Sequence, residues 1–419
     1  MNIAFFLYHH NDLDQNTPIM WRLMRDGHRI SAILLDDAAF DIERDERLVF
    51  LKGFEAFSLT TVSDLIDLPG SEWLFKQHAG KTSGFARRGI RKLLRESGIS
   101  VRAAERALQS LDVESCVFEW GGIGARNRSE FLLAAKRLGL RTICVPHGQH
   151  VLLDAAVNPI VAKALKDGTK LRAGYNVYDR YVFQAPLHRD SQIKLGMDPA
   201  MCMVIGSARY CPEWLRVNSD LYPPYAPGFA ANDRLNVVFM VHHWGYNVDR
   251  DTVLENIAAI IDQDWINLVI KEHPRATNAR MPQHIRDKAA SVDRVRLVDT
   301  EASSTSLMRW ADAVINYGSS IAMEAVVNKT PVVNPVFFQS NRTIFEETGA
   351  CLEAHSPDEL IGRLKDLHTK EASAIDDARR QAFMKEAVYG GHEPFDVLAA
   401  YAAVITGGDL GPMLADELH

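Results

Sequence analysis

A hydrophobic strand that ends on charged residues and a histidine is the first feature of this sequence that could do chemistry. Residues 268–276 read LVIKEHPRA. Proline lacks the N–H that a central strand must donate, so Pro274 ends the strand directly after His273. An imidazole and the ammonium of Lys271 are thereby left at the carboxyl end of the strand, where open parallel sheets bind their ligands. We therefore predict that Lys271, His273 and Pro274 belong to a site for an anionic ligand.

A second strand ends in a comparable way. Residues 312–318 read DAVINYG and lead into a helix through GSSIAMEA. We predict an anion site here that needs no metal. It would be formed by the turn at Gly318, the hydroxyls of Ser319 and Ser320, and the first N–H groups of a helix capped by Ser320. Glu324 follows one turn later, where its carboxylate could accept the two hydroxyls of a ribose. The two strand ends are predicted to hold the phosphate and the sugar of a nucleotide.

The elements that position these residues alternate between short apolar strands and helical segments, once over 1–210 and again over 233–392. This alternation predicts parallel sheets with crossover helices. Residues 211–232 are rich in proline and turn formers and are predicted to be an interdomain linker, and 393–419 a last helix and tail. The expected fold class is α/β, with two Rossmann-like doubly wound domains facing across a cleft.

Composition restricts the partners. The chain has 419 residues and a net charge of −7, so no overall positive field attracts nucleic acid. Five cysteines without a C-x-x-C pair indicate a reducing compartment and argue against a metal cage. The most apolar stretch, 311–338, is interrupted by polar residues and cannot span a bilayer. We expect a cytoplasmic protein with neither a nucleic-acid partner nor a bound metal.

The second half of the sequence resembles a known group. VIKEHPR followed by ADAVINYGSSIAMEAVVNKTPVV is similar to the HP and S motifs of GT-B glycosyltransferases that build bacterial surface polysaccharides. The group includes capsule Kdo transferases, bacterial sialyl- and polysialyltransferases, and CDP-glycerol or CDP-ribitol polyol-phosphate transferases. In these families the histidine and the serines hold the phosphate of a cytidine nucleotide, which implies that role for His273, Ser319 and Ser320. The resemblance covers about 235–365 well and the first domain loosely, and it implies GT-B architecture.

The first domain offers two candidates for a general base. CVPHGQH resembles the His-Gly motif of the polyol-phosphate transferases, which implies that His147 activates the acceptor hydroxyl. Pro146 stands where that motif usually has tryptophan. Glu119 ends a strand, SCVFEW, and is the second candidate. It precedes a glycine-rich loop in which Arg126 or Arg128 could meet a carboxylate or phosphate.

Three further features extend the prediction. MVHHWG follows the first strand of the second domain, so His242 or His243 is predicted to touch the leaving phosphate. VIGSARY resembles a GS-x-R element near the domain junction of these families, where Arg209 would be a phosphate ligand or a hinge salt bridge. The segment 85–95 predicts a basic amphipathic helix, either solvated or docking on anionic lipid headgroups or an acidic glycan. Its basic residues are Arg87, Arg88, Arg91, Lys92 and Arg95.

These features together predict a metal-independent GT-B glycosyltransferase. The expected donor is a CMP-activated acidic ulosonic sugar such as Kdo, held by the second domain, and the acceptor is a surface glycan, free or lipid-linked, held by the first. Contact with the inner face of the membrane through 85–95 is part of this expectation. The alternatives are a CDP-polyol phosphate transferase, a UDP-sugar 2-epimerase with the same two-domain cleft, and a non-catalytic GT-B paralogue that binds glycan.

Overall fold

The computed structural model of the chain describes residues 1–36, 39–75, 85–123, 128–153, 158–230, 232–244, 247–273, 280–299, 302–371, 375–408 and 410, and for 85–88 the backbone only. The chain forms two compact units. Unit 1 comprises Met1–Gln149, Lys163–Cys211 and Tyr389–His419, and unit 2 comprises His150–Ala162 and Pro212–Val388. Within the described residues, no helix is both long enough and apolar enough to cross a membrane.

Unit 1 is built on a seven-stranded parallel sheet in the order β3-β2-β1-β4-β5-β6-β7. Its strands are β1 Asn2–Leu7, β2 Arg29–Leu34, β3 Phe57–Thr61, β4 Ser115–Glu119, β5 Arg141–Val145, β6 Arg180–Phe183 and β7 Cys202–Val204. The first helices of this unit are α1 His10–Arg25, α2 Glu46–Lys52, α3 Val62–Leu65, α4 Ser71–Phe75, α5 Phe85–Glu96, α6 Ile99–Ser110 and α7 Arg128–Arg137. Helix α8, Pro159–Asp167, contains residues of both units. Helix α9, Pro186–Lys194, follows β6.

Unit 2 repeats the arrangement with six parallel strands in the order β10-β9-β8-β11-β12-β13. The strands are β8 Leu235–Met240, β9 Ile266–Lys271, β10 Val295–Val298, β11 Ala313–Ile315, β12 Val332–Pro335 and β13 Leu352–Ala354. The helices are α10 Pro212–Leu221, α11 Arg250–Ile261, α12 Gln283–Ala290, α13 Ser304–Trp310, α14 Ala322–Val327, α15 Ile344–Glu347, α16 Pro357–Thr369 and α17 Asp377–Phe383. The last helix, α18 Val397–Thr406, belongs to unit 1.

Both sheets have the strand order of a doubly wound Rossmann fold, which confirms the predicted fold class. The reversal in strand order falls between β1 and β4 in unit 1 and between β8 and β11 in unit 2. Such reversals open a crevice outside the carboxyl ends of the strands. The sequence indicates these strands by short apolar runs. In β9, for example, all six residues are buried, as expected for a strand covered by helices on both faces.

The C-terminal helix completes unit 1 through buried polar contacts. The hydroxyl of Tyr401 donates a hydrogen bond of 2.9 Å to the carbonyl oxygen of Gly206, and that of Ser115 donates one of 2.9 Å to the carbonyl of Ile405. The second bond links α18 to the first residue of β4. Helix α18 is mostly apolar because it packs into the unit rather than against solvent.

Two parts of the sequence fold differently from our expectation. The predicted linker 211–232 begins with helix α10, whose Trp214 is 2% exposed and whose Asn218 donates a 3.2 Å hydrogen bond to Thr305 of α13. The helix has only ten residues, and the prolines directly after it made the whole segment read as a linker. Between β2 and α5 the sequence has little periodicity and predicts no distinct elements, yet this segment contains α2, β3, α3 and α4, because tertiary packing outweighs weak local propensity in short elements.

The burial of Trp214 gives a first prediction. Trp214→Ala should lower the free energy of unfolding by about 3–5 kcal/mol, because it removes a large side chain of α10 that is almost completely buried. Arg216→Ala, an exposed position on the same helix, should change it by less than about 0.5 kcal/mol. Thermal unfolding followed by circular dichroism measures both. If both variants lowered the free energy of unfolding by the same small amount, α10 would be a connecting segment that contributes little to stability.

Candidate functional site

Two buried charges explain why strand β9 ends on polar residues. The ammonium of Lys271 donates hydrogen bonds to the main-chain carbonyls of Asp299 and Ala302, the second at 2.7 Å. The carboxylate of Glu272 accepts the Met281 N–H at 2.6 Å and two bonds from the Arg286 guanidinium, at 2.5 and 2.8 Å. Buried charges are tolerated only when they are paired in this way. The two side chains therefore fix the end of the strand directly before His273.

The predicted phosphate contact of Lys271 gains no support from this placement. Its ammonium is held by carbonyl oxygens, and burial lowers the pKa of Lys271 to about 8, with the Asp299 carboxylate acting in the opposite direction. The predicted roles of Pro274 and Arg126 fall on residues outside the described part of the chain. The side chains of Arg87 and Arg88 are also outside it.

The register of the sheet in unit 2 aligns three predicted residues in one row. Met240 pairs with Lys271, so His242 and His273 each lie two residues beyond paired positions. Ile315 pairs with Phe239, which aligns Gly318 with His242 across the topological reversal. The pairing of the parallel strands is therefore sufficient to bring these three residues together.

The three histidines form a compact cluster. The ring of His273 lies edge-on to both neighbours, with centroids 6.4 Å from His242 and 5.8 Å from His243. The backbone N–H of His242 donates a 3.0 Å hydrogen bond to the hydroxyl of Tyr317. Burial, together with the adjacent imidazoles of His273 and His243, lowers the pKa of His242 to about 4. His242 is therefore neutral at pH 7 and can both donate and accept a hydrogen bond.

Gly318 forms the opposite side of this cluster. Its φ of +125° is unfavourable for any other residue, and a Cβ there would approach the Gln339 amide nitrogen at 3.3 Å and the His242 ring at 3.6 Å. Gln339 is 8% exposed, and its amide oxygen accepts a bond of 3.1 Å from Asn341. Among the described residues, the amide nitrogen of Gln339 has no hydrogen-bond partner. This buried N–H donor beside the Gly318 turn is available to donate a hydrogen bond to an anionic ligand.

Asn316 supplies a second donor of this kind. Its side-chain oxygen accepts the backbone N–H of Ser319 at 3.0 Å, while its amide nitrogen lacks a hydrogen-bond partner within the described part of the chain. Neither Asn316 nor Gln339 was predicted from the sequence. Asn316 could have been predicted from its position, because it is the first residue after β11. Gln339 follows a 3-10 turn after β12, and no pattern in the nearby sequence indicates its role.

The prediction that Ser320 caps a helix is wrong. Helix α14 begins at Ala322 and has only six residues, and its N-cap position is Ile321, in the right-handed helical region. The N–H of Ser319 is engaged by Asn316, and the N–H of Met323 bonds the Ser320 carbonyl at 3.1 Å in a tighter turn. The start of α14 is therefore not capped by Ser320, and the predicted phosphate contacts of the Ser319 and Ser320 hydroxyls stay predictions.

Glu324 is nearly inaccessible to solvent. Its carboxylate accepts a 3.0 Å hydrogen bond from the hydroxyl of Thr305, which in turn accepts one from Asn218. The residue therefore connects α14 to α13 and α10. Its predicted contact with ribose hydroxyls stays a prediction.

In unit 1, Glu119 is engaged in a buried ion pair. Its carboxylate contacts the guanidinium of Arg128, which also donates a 2.9 Å bond to the Glu119 carbonyl, and both residues are buried. A Cβ on Gly121 would collide with that guanidinium, which explains the glycine there. The Glu119 carboxylate is therefore already engaged by a guanidinium and removed from solvent. Glu119 is accordingly a poorer candidate than its sequence position suggested.

His147 lies in an aromatic cluster at the carboxyl ends of β4, β5 and β6. Its ring centroid is 6.2 Å from that of Trp120, which stacks on His188 at 5.0 Å with the planes 15° apart. The guanidinium of Arg172 lies over the Trp120 ring, 5.9 Å from its centroid. Sequence reasoning missed Trp120 and His188, although His188 occupies the first turn of the helix after β6, where the strand-end rule applies equally.

Arg209 forms a salt bridge inside unit 1. Its guanidinium is 2.7 Å from the carboxylate of Asp14. Burial opposes ionisation of Asp14, but Arg209 and Arg47 outweigh it and lower the pKa of that carboxyl. Of the two predicted roles, the salt bridge is the one that this contact fits; phosphate binding by Arg209 stays a prediction.

Known structures share the fold at low sequence identity. The UDP-GlcNAc 2-epimerase of Neisseria meningitidis, solved with UDP-GlcNAc bound, aligns with a TM-score of 0.57 and 11% identity over 97% of this chain and 99% of its own. A glycosyltransferase from Rickettsia africae gives 0.53 and 11%, over 97% and 99% of the two chains. HepE from Anabaena, solved with UDP-glucose, also gives 0.53 and 11%, over 97% and 100%. No protein-family model and no curated protein matches the sequence.

These similarities define the class of fold. They extend over both units and include a UDP-GlcNAc 2-epimerase and a glycosyltransferase. The predicted GT-B architecture is thereby confirmed at the level of fold.

The lowered pKa of His242 predicts how stability depends on pH. In the unfolded chain this imidazole takes up a proton below about pH 6.5, whereas in the folded chain it does so only near pH 4. The stability that it contributes is complete above pH 6.5, and about 3 kcal/mol is lost as the pH falls to 4. His242→Gln should flatten urea-unfolding stability over this range, while the exposed His284→Gln should not. An unchanged slope in His242→Gln would contradict the assignment.

Proposed function

We propose that this protein binds a nucleotide sugar on unit 2 through its phosphate groups and breaks the bond between the anomeric carbon and the phosphate oxygen. The observation that carries the proposal is the row formed by His242, His273 and Gly318 at the topological reversal of the second sheet, with the buried amide nitrogen of Gln339 beside it. Ligands bind at this position in doubly wound folds.

The chemistry follows from the donors in that row. When the glycosyl bond breaks, its electron pair moves to the phosphate oxygen, and negative charge grows there. Imidazole and amide N–H groups that are already in position stabilise that charge without reorganisation. Neutral His242 offers a donor at no electrostatic cost to the buried surroundings, because its pKa is about 4. These donors support a mechanism in which the protein itself neutralises the leaving group, as the motif resemblance also implies.

The nucleotide base that we propose is uracil rather than cytosine. Two of the structures of similar fold were solved with UDP-GlcNAc or UDP-glucose bound, so UDP is a better first candidate than the CMP donor expected from the motifs. Transfer of Kdo or another ulosonic sugar from CMP is retained as the second candidate, since it rests on the HPR and GSS sequences.

Two reactions start with this bond cleavage. The similarity to 2-epimerases supports inversion at C2 of a UDP-sugar. In that reaction the C2 proton and UDP leave to give a glycal, and UDP and a proton then add back with the opposite configuration at C2, so no second substrate is needed. The HP and S motifs favour transfer to a glycan acceptor, free or lipid-linked, with a general base supplied by unit 1. We place 2-epimerisation first because UDP-GlcNAc 2-epimerases recur among the structures whose similarity extends over both units, whereas the motif resemblance covers the second domain well and the first only loosely.

One experiment separates these reactions. The protein is incubated with UDP-GlcNAc and, separately, with a CMP-activated ulosonic sugar, in excess EDTA, and the mixture is followed by proton and phosphorus NMR. A new UDP-sugar, or UDP with a glycal, indicates epimerisation. Release of nucleotide only when a glycan acceptor is added indicates transfer. Failure of every pyrimidine nucleotide to bind would overturn the proposal, and activity that returns only with magnesium or manganese would reject the metal-independent mechanism.

Substitution of the donors should weaken nucleotide binding. His273→Ala and Gln339→Leu should each raise the dissociation constant of UDP by roughly tenfold or more, because each removes a hydrogen bond to a charged phosphate. The matched controls are His284→Ala and Gln283→Leu, at exposed positions on α12 of the same unit. Isothermal titration calorimetry measures all four. Unchanged affinity in both site variants would place the phosphates elsewhere.

The base is a separate prediction and concerns the transfer reaction. His147→Ala should lower kcat by at least about a hundredfold, the usual range for a lost general base, and leave UDP affinity unchanged. His188→Ala tests the stacked neighbour in the same cluster. If His188→Ala has the larger effect on kcat, the base is His188. Loss of nucleotide affinity in His147→Ala, with kcat kept at saturation, would assign His147 to the donor.

A further inference from the structure

Helix α5 exposes the residues that a solvated helix would bury. Leu93 is 67% exposed and Ile90, one turn earlier on the same face, is 43% exposed. Trp73, on the neighbouring helix α4, is 56% exposed. Of the ten large hydrophobic side chains that are exposed in the described part of the chain, four lie within residues 73–99, the fourth being Ile99. Exposed apolar side chains gathered in one stretch of the chain direct attention to this part of unit 1 as an interaction surface.

A basic residue of the same helix points inward instead. The guanidinium of Arg91 lies 5.0 Å from the centre of the Phe75 ring, and it is 3.7 Å from the carboxylate of Glu130 on α7. Glu130 is fully buried, and burial raises the pKa of its carboxyl although Arg91 acts to lower it. These contacts fasten α5 to α4 and α7. They also keep the face that carries Ile90 and Leu93 turned away from the unit.

The charge of the helix is opposite to that of the protein. Residues 85–96 contain five basic residues and one acidic residue, Glu96, whereas the whole chain carries −7. Lys92 lies beside Leu93 on the exposed side, with its ammonium 3.7 Å from the Glu96 carboxylate. Arg95 is half-buried, and its charge also acts on the buried Glu130 carboxylate. A local positive charge interleaved with exposed leucine, isoleucine and tryptophan is the composition of helices that lie in the interface of an anionic membrane.

We infer that Trp73, Ile90 and Leu93, flanked by Lys92 and Arg95, form a docking surface for an anionic lipid bilayer. We call these five residues the lipid face. The three apolar side chains enter the boundary of headgroups and acyl chains, and the two cations pair with lipid phosphates. An acidic glycan would satisfy the cations but would leave the apolar side chains in water, so a bilayer is the partner that fits both. The inference is independent of the reaction proposed above.

The test is vesicle binding by the full chain. Co-sedimentation is measured with vesicles of phosphatidylcholine alone and with vesicles that contain about one third phosphatidylglycerol. The wild-type protein should bind the anionic vesicles at low salt and be released at high salt. The double variant Ile90→Ser, Leu93→Ser should bind at least about tenfold more weakly, and Lys92→Glu, Arg95→Glu should abolish binding. Val49→Ser, an equally exposed apolar position of unit 1, is the matched control and should bind like the wild type.

Three results would overturn the inference. They are failure of the wild type to bind anionic vesicles at low salt, equal binding by the Ile90→Ser, Leu93→Ser variant, and equal weakening in Val49→Ser. Circular dichroism of each variant establishes that it is folded. If a soluble acidic polysaccharide binds the wild type and the serine variant equally and neither binds vesicles, the surface recognises glycan and the lipid assignment is wrong. Nucleotide affinity, measured in parallel, should be the same in all variants.

Discussion

The candidate site in unit 2 depends on the burial of two charges at the end of one strand. Lys271 and Glu272 continue β9 beyond its apolar residues, and each would be costly to bury alone. Main-chain carbonyls satisfy the first, and the Met281 N–H with Arg286 satisfies the second. The strand therefore has a fixed end, and His273 follows it at a defined position. An imidazole on an unanchored loop would not offer the same preorganised contact to a ligand.

Parallel pairing then assembles the rest of the site from residues far apart in the sequence. His242, His273 and Gly318 follow three different strands, but the register aligns them at one edge of the sheet. The crevice at the strand-order reversal lies at this same edge. Gln339 and Asn316 add buried amide donors around the glycine turn. In unit 1 the same rule brings Glu119, His147 and His188 to neighbouring strand ends, where Trp120 contacts both histidines.

Much of this could be predicted because it depends on short-range patterns. The apolar runs predicted the strands, their alternation with helices predicted the doubly wound fold, and the strand-end rule identified His242, His273 and Gly318. What could not be predicted depends on partners distant in sequence. The buried pair between Glu119 and Arg128, the bond from Thr305 to Glu324, and the inward turn of Arg91 are tertiary contacts. The start of α14 at Ala322 is a local exception, and there the Ser319 N–H is engaged by the nearby Asn316 side chain.

The account rests on a phosphate of the ligand lying at the carboxyl ends of β8, β9 and β11. A crystal structure of the protein with UDP tests this claim most directly. We expect phosphate oxygens within hydrogen-bonding distance of the His273 ring and of the amide nitrogen of Gln339, close to the Gly318 turn. Phosphates bound in unit 1, or in unit 2 away from these groups, would contradict the account.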